Sequence, residues 1–172
     1  MPGEASLLEF RAYLFNFQTL IPMAHWLLKS EPHKYSIDDM KRDKTTDWDG
    51  VRNYQARNLM KDMEKGEEAF FYHSSADVIG IAGTITISKE FYPDPSQFDK
   101  KSPYFDVKSD PENPRWFCPQ VKFKKKFKNI VTLAELREEK KLADMLLLKR
   151  GTRLSVQPVS TAQFNHILKM AS

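Results

Sequence analysis

The chain has 172 residues, of which 41% are apolar and 12% aromatic, and Cys118 is its single cysteine. This composition suits one folded domain and excludes general disorder, while one thiol excludes an internal disulfide framework and a multi-thiolate metal site. The 27 basic and 23 acidic residues give a net charge of +4, which mildly favours an anionic partner. The apolar runs stay well short of the roughly 20 residues that span a bilayer, so we expect no membrane partner.

Residues 1–22 differ in pattern from the rest of the chain. They carry two acids and one arginine before an apolar stretch ending at Pro22, without the basic start or small-residue cleavage site of a secretory signal. We interpret 1–22 as an N-terminal extension or start-site artefact and 23–172 as the domain. The alternative is a short amphipathic helix packed on that domain. Residues 23–172 keep 26 basic and 21 acidic residues, so a net charge of +5 belongs to the domain.

Capping patterns and short apolar runs predict the elements of the first half of the domain. Ser36 followed three residues later by Asp39 begins a short helix that stops before Thr45. Asp47 to Gly50 predicts a turn. A second helix is predicted over 53–63, and strands over 25–30, 68–74 and 78–88.

A long loop is predicted over residues 92–116. It holds five of the ten prolines and four aspartates. Loops of this length are uncommon in small domains and are often functional.

Residues 121–128 alternate apolar and basic side chains. At the two-residue period of a strand, one face is predicted to carry Val121, Phe123 and Phe127, and the other Lys122, Lys124, Lys126 and Lys128. This lysine face either follows a nucleic-acid backbone or is a solvated edge that resists aggregation.

The C-terminal part predicts a helix after Thr132-x-x-Glu135, another helix over 142–148 and a strand over 154–159. A closing helix after Ser160-x-x-Gln163 would place Phe164, Ile167 and Leu168 on its apolar face. Strands and helices do not alternate regularly, which favours an α+β fold with a small mixed or antiparallel sheet curled into a barrel.

Signals for catalysis are weak. The glycines at 80 and 83 lack the spacing of a dinucleotide loop, and the four histidines have no metal-ligand spacing. Acidic residues in caps and turns (Asp38, Asp39, Asp43, Asp47 and Asp49) and His73 leave a nuclease or RNA-processing enzyme as an alternative. We expect no catalytic residue, metal or cofactor.

The segment 48–58, WDGVRNYQARN, carries the clearest functional signal. A pocket for a flat heterocycle needs an aromatic face, a polar group for the base edge and a cation for phosphate. Trp48, Asn53 and Arg52 supply one of each within six residues. A tryptophan on a turn also serves commonly as a lid on a core.

Six stretches resemble the EVE domain family: WLLKSEP (26–32), WDGVRNYQARN (48–58), FFYHS (70–74), GIA (80–82), DPENPRW (110–116) and RGTRLSVQPV (150–159). The resemblance implies a PUA-like fold, a small β-barrel with flanking helices, shared with ASCH and YTH domains. It also implies a non-catalytic reader of a modified base in DNA or RNA, such as a 5-methylcytosine derivative or N6-methyladenine, flipped into an aromatic pocket.

By this resemblance we expect the base pocket at Lys29, Ser30, Trp48, Val51, Asn53, His73, Gln157 and Pro158. Contacts to the phosphate backbone are expected from Arg52, Arg57, Arg115, Lys122, Lys124 and Lys126. The chain would act as a monomer, in the cytoplasm, at the nucleoid of a bacterium or in a eukaryotic nucleus. A binder of a small planar metabolite is the remaining alternative.

Overall fold

The structure is a computed structural model that describes residues 23–172, so the predicted extension over 1–22 lies outside the described residues. The strands are β1 (His25–Ser30), β2 (Thr45–Asp47), β3 (Glu68–His73), β4 (Gly80–Pro93), β5 (Phe117–Thr132) and β6 (Val156–Val159). The α-helices are α1 (Ile37–Asp43), α2 (Tyr54–Lys61), α3 (Leu133–Glu138) and α4 (Thr161–Met170). Short 3-10 turns lie at Pro95–Gln97, Lys140–Leu142 and Leu146–Leu148.

The six strands form one mixed sheet in the order β2-β5-β4-β3-β1-β6. Strands β1 and β3 pair in parallel, and every other neighbouring pair is antiparallel. β1 lies between β3 and β6, and its apolar run Trp26-Leu27-Leu28 is buried on both faces, as a central strand requires.

Alternate residues of the central strands enter two cores on opposite faces of the sheet. The first core receives Trp26 and Leu28 from β1, and helices α1 and α2 pack on it. The second core receives Leu27, and helices α3 and α4 pack on it. The period of two along a strand produces this division.

Strand β5 departs from the regular alternation that its sequence predicts. Lys125 pairs with Thr84 and Phe123 with Ile85, which leaves Lys124 as the extra residue of a β-bulge. Phe123 therefore packs on the first core and Phe127 in the second. The prediction of one apolar face and one lysine face was wrong, because the bulge reverses the alternation.

The helix starts agree closely with the sequence. Ser36, Thr132 and Ser160 each form the predicted capping box with the residue three positions later. The predicted helix over 142–148 is instead two 3-10 turns. Met145 and Leu147 are both buried, and on an α-helix they would lie about 200° apart, so one regular helix could not bury both. Across residues 23–172, no helix combines the length and apolar character needed to cross a membrane.

Candidate functional site

A cavity of about 740 Å³ lies where the end of β1, the segment after β2 and the long loop meet. We call it the Trp48 cavity. Its walls are Lys29, Ser30, Glu31, Lys34, Tyr35, Thr46, Asp47, Trp48, Asp49, Gly50, Val51, Arg52, Asn53, Ser74, Tyr104, Arg153 and Ser155.

Trp48 belongs to both the first core and the cavity. Its backbone N–H donates to the carbonyl of Pro119 at 2.9 Å, which ties the segment to β5. Its ring meets Phe71 edge-on at 5.5 Å and 90°, and the residue is 8% exposed. Unlike Trp26 and Trp116, whose indole N–H groups donate to carboxylates, Trp48 has no acceptor for its indole N–H within residues 23–172. That donor is available to a ligand.

Arg52 fastens the long loop to the segment that carries Trp48. Its guanidinium donates to Asp94 Oδ2 at 2.8 Å, to Ser96 Oγ at 3.0 Å and to the Val51 carbonyl at 3.2 Å. Two further N–H groups donate to the carbonyl of Tyr104 at 2.7 and 3.0 Å. All five donors are thus engaged within the protein.

The carboxylate of Asp94 is the buried end of this connection, with its side chain 1% exposed. Burial alone would raise its pKa. Hydrogen bonds from Arg52, Ser96 and the Gly50 backbone outweigh that effect and lower the pKa below the usual value. Asp94 is therefore held ionised beside Arg52.

Gln97 organises the interior of the same loop. Its fully buried side-chain amide donates to the carbonyls of Asp94 and Trp116 at 2.7 and 2.8 Å. Its carbonyl oxygen accepts from the backbone N–H groups of Trp116 and Arg115 at 3.0 and 3.2 Å. These bonds give the loop a defined shape without regular secondary structure.

Gly50 allows the Tyr104 ring to pack directly against the backbone at the cavity wall. Its φ is +77°, and a Cβ added there would lie 2.6 Å from the Tyr104 ring. Glycine is needed here both for the left-handed backbone and for the close approach of the ring.

The cavity carries mixed charge. Lys34 lies 2.6 Å from Glu31, whereas Lys29 and Arg153 have no carboxylate partner within residues 23–172. The Lys29 ammonium lies 5.8 Å from the centre of the Tyr72 ring, and burial lowers its pKa. Desolvation and the neighbouring negative charges of Asp94 and Asp47 raise the pKa of Asp49.

Five of the eight predicted pocket residues line this cavity: Lys29, Ser30, Trp48, Val51 and Asn53. Two of them also have structural duties. Ser30 donates to the carbonyl of Tyr35 at 2.6 Å, and Asn53 caps α2 by accepting from the Ala56 N–H at 2.9 Å. The Asn53 side-chain NH₂ remains available.

The other three predicted pocket residues do not line the cavity. His73 accepts the Ile37 N–H at 3.1 Å at the start of α1, and burial lowers its pKa. Gln157 lies opposite Leu27 and so points to the second core. Pro158 is exposed on the edge strand β6.

The predicted phosphate contacts are dispersed. Of the six, Arg52 alone lines the cavity. Lys124 pairs with Glu68 and Lys126 with Asp38, both at 2.6 Å, on opposite faces of the sheet because of the bulge. Lys122 is exposed on the same strand.

Arg57 and Arg115 stand on an aromatic stack beside the cavity. The Arg57 guanidinium lies 4.7 Å from the centre of the Tyr54 ring, which stacks on Trp116 at 4.8 Å and 21°. The Arg52 guanidinium, which lines the cavity, lies 5.3 Å from the centre of the Trp116 ring. We call Arg57, Tyr54, Trp116 and Arg52 the cation–aromatic stack. Arg115 donates to the Tyr54 hydroxyl and pairs with Asp106.

Sequence reasoning missed Tyr104, Asp49 and Tyr35 as cavity residues. Tyr104 lies in the proline-rich loop, whose length was a general signal without a position. Asp49 adjoins the predicted Trp48, but its turn position favoured a structural role. No sequence signal identified Tyr35.

The mixed sheet with helices on both faces is a PUA-like α+β fold. A crystal structure of an ASCH protein mutant from Zymomonas mobilis, 6% identical, aligns with a TM-score of 0.50 over 86% of this chain and 99% of that one, and supports the fold alone. The EVE domain model matches residues 24–170, and the chain belongs to the EVE domain family.

Two human comparisons agree with this membership. Human thymocyte nuclear protein 1 is 43% identical over 166 residues, which cover 86% of this chain and 73% of the human one. A crystal structure of the human THYN1 protein in complex with 5-methylcytosine-containing DNA aligns with a TM-score of 0.82 and 43% identity. That alignment covers 87% of this chain and 98% of the crystallised one.

Proposed function

We propose that this chain is a non-catalytic reader of modified DNA that holds a flipped 5-methylcytosine in the Trp48 cavity. The observation that carries the proposal is the crystal structure of the human relative with 5-methylcytosine-containing DNA. The alignment with this chain covers 98% of that crystallised human chain. The aromatic and polar walls of the Trp48 cavity support its assignment as the site of the base.

The size and walls of the cavity suit a nucleobase. Its volume of about 740 Å³ falls within the roughly 300–1,000 Å³ of small-molecule sites. Trp48 and Tyr104 offer aromatic surface for stacking, and Val51 offers an apolar contact for a methyl group. The Trp48 indole N–H, the Asn53 amide and the Asp49 carboxylate offer polar contacts for the base edge.

The energies set a limit on selectivity. Flipping a base costs a few kcal/mol, and stacking on an aromatic ring returns about 1–3 kcal/mol. A methyl group in an apolar niche adds about 1–3 kcal/mol, which corresponds to selectivity of tens-fold over unmodified cytosine. Polar contacts must provide any greater discrimination.

The DNA backbone would run along the cation–aromatic stack. Arg57 in the stack and Arg115 beside it are the cations that would contact phosphate, and both are partly exposed. Arg52 is fully engaged with the loop, so we assign it to shaping the cavity rather than to phosphate. Lys124 and Lys126 are held by acids on opposite faces and are left out of this path.

Enzyme alternatives receive little support from the geometry. His73 is committed to the start of α1, and residues 23–172 contain no cluster of three potential metal-ligating side chains. We therefore propose binding without turnover, by one copy of the chain. The human relative is named as a nuclear protein, and we propose the same location for this chain in a eukaryotic cell.

The test measures the affinity of the full chain for duplex DNA carrying one 5-methylcytosine, one cytosine or one N6-methyladenine, at two salt concentrations. Trp48→Phe reduces the stacking surface, and Trp26→Phe is the matched control because Trp26 is a buried tryptophan outside the cavity. We expect a preference for 5-methylcytosine that Trp48→Phe reduces and Trp26→Phe retains. Equal affinity for all three DNAs would reject the proposal. Binding to the free nucleoside as tight as to DNA would favour a small planar ligand.

A further inference from the structure

Asp49 differs from the other carboxylates of the Trp48 cavity because no other residue of the described range 23–172 bonds to its side chain. Glu31 lies 2.6 Å from the Lys34 ammonium, and Asp47 accepts the hydroxyl of Tyr92. Within residues 23–172, the Asp49 carboxylate has no bonded cation and accepts no hydrogen bond from another residue. Asp49 is exposed, lines the cavity and directly follows Trp48 in the chain.

A reader of methylated cytosine must also reject thymine. Both bases carry a methyl group at C5, so an apolar niche that accepts one accepts the other. They differ at C4, where 5-methylcytosine has an amino donor and thymine has an oxygen acceptor. A carboxylate accepts from the amino group and is repelled by the oxygen.

On the basis of the proposed function, we propose that Asp49 accepts the exocyclic amino group of the flipped base and thereby selects 5-methylcytosine over thymine. The stacking of the base on Trp48 would bring its polar edge to the adjoining residue. The other carboxylates of the cavity already have partners, so Asp49 is the carboxylate left for this contact.

The charges around Asp49 give this selection a dependence on pH. Desolvation, followed by the charges of Asp94 and Asp47, raises its pKa. As the pH falls through that value, Asp49 becomes neutral, and its O–H donates to the thymine oxygen. The preference for 5-methylcytosine over thymine is therefore greatest above the pKa of Asp49 and becomes smaller below it. The charged groups that face Asp49 or share the cavity are Asp47 on β2, Asp94 and Arg52, with Lys29, Glu31, Lys34 and Arg153 on the remaining walls.

The experiment compares hairpin DNAs in which 5-methylcytosine, cytosine or thymine lies opposite an abasic site, so that no base pair is lost on flipping. At neutral pH we expect wild type to bind 5-methylcytosine about tenfold or more tighter than thymine. Asp49→Asn should bring the two affinities within about threefold, because its amide N–H donates to the thymine oxygen. Asp62→Asn is the matched control, since Asp62 is exposed and outside the cavity, and it should keep the wild-type ratio.

If Asp49→Asn keeps the wild-type ratio of 5-methylcytosine to thymine affinity, the role assigned to Asp49 is overturned. If that variant does not fold, the pH series on wild type decides, because a constant ratio of the 5-methylcytosine and thymine affinities as the pH falls from neutral through the raised pKa of Asp49 also overturns it. In another outcome, wild type prefers 5-methylcytosine to cytosine while Asp49→Asn keeps the wild-type ratio of 5-methylcytosine to thymine affinity. That result rejects the role of Asp49 and leaves the proposed function standing. Wild type that binds 5-methylcytosine and cytosine equally rejects the proposed function together with this assignment.

Discussion

Replacing Arg52 by lysine tests how the long loop is held over the Trp48 cavity. The substitution keeps the positive charge but removes the planar fork, which in wild type reaches Asp94, Ser96 and the Tyr104 carbonyl together. A lysine ammonium is a single point and retains at most the contact with Asp94.

The expected loss of stability comes from the bonds removed. Two bonds to the Tyr104 carbonyl, one to Ser96 and one to the Val51 carbonyl disappear, and hydrogen bonds from a charged group contribute about 1.5–3 kcal/mol each when shielded from water. The Arg52 side chain is 22% exposed, so solvent weakens each of them. We expect Arg52→Lys to lower the free energy of unfolding by about 2–3 kcal/mol, which is roughly 5–10 °C in Tm for a chain of this size.

Urea unfolding at neutral pH measures this change. Arg42→Lys is the matched control because Arg42 also contacts two carboxylates, on Asp39 and Asp43, but its side chain is 66% exposed and should contribute little. Since the folded-state pKa of Asp94 is depressed, its ionised form stabilises the fold above the unfolded pKa, and that stabilisation is lost as the pH falls through the folded pKa. The difference in free energy of unfolding between wild type and Arg52→Lys should become smaller as the pH falls through the same acidic range. Equal effects of the two substitutions would refute the role assigned to Arg52.

Three further changes test the loop and the DNA path. In urea unfolding, Gly50→Ala should lower the stability by about 1–3 kcal/mol more than Gly66→Ala. Both glycines have positive φ, but a Cβ at Gly66 meets no atom closer than 3.7 Å, whereas a Cβ at Gly50 meets the Tyr104 ring at 2.6 Å. Similar losses would contradict the tight contact. Gln97→Leu keeps the volume but removes four hydrogen bonds of the loop and leaves the Trp116 N–H without an acceptor, so calorimetry should show a loss of about 2–4 kcal/mol in stability. An unchanged stability would contradict the organising role of Gln97. Arg57→Ala should weaken binding to modified and unmodified DNA alike and reduce the slope of log K against log salt by about 1, and an unchanged slope would remove Arg57 from the phosphate path.

Local interactions explain what the sequence predicted well. The capping boxes at Ser36, Thr132 and Ser160 involve residues three positions apart, so their pattern is visible without the tertiary structure. The 48–53 segment was equally visible because its aromatic, amide and cationic groups are contiguous. The family resemblance added the PUA-like fold.

Long-range contacts explain what the sequence could not predict. The bulge at Lys124 depends on the pairing of β5 with β4, and it alone separates Lys124 from Lys126. Arg52 meets Asp94 across 42 positions, so no local pattern could show that this residue secures a loop. Gln157 lies outside the cavity because its pairing opposite Leu27, 130 positions earlier in the chain, directs its side chain to the second core.

The most direct test of the central claim tracks the three tryptophan indole N–H signals by NMR as DNA carrying one 5-methylcytosine is added. Trp26 and Trp116 donate to Glu67 and Asp106, whereas the Trp48 indole N–H has no acceptor within residues 23–172. If the modified base enters the cavity, the Trp48 signal should move with the DNA concentration, further for 5-methylcytosine than for cytosine, while the Trp26 signal stays in place. Saturable binding of the DNA with an unmoved Trp48 signal would contradict the account.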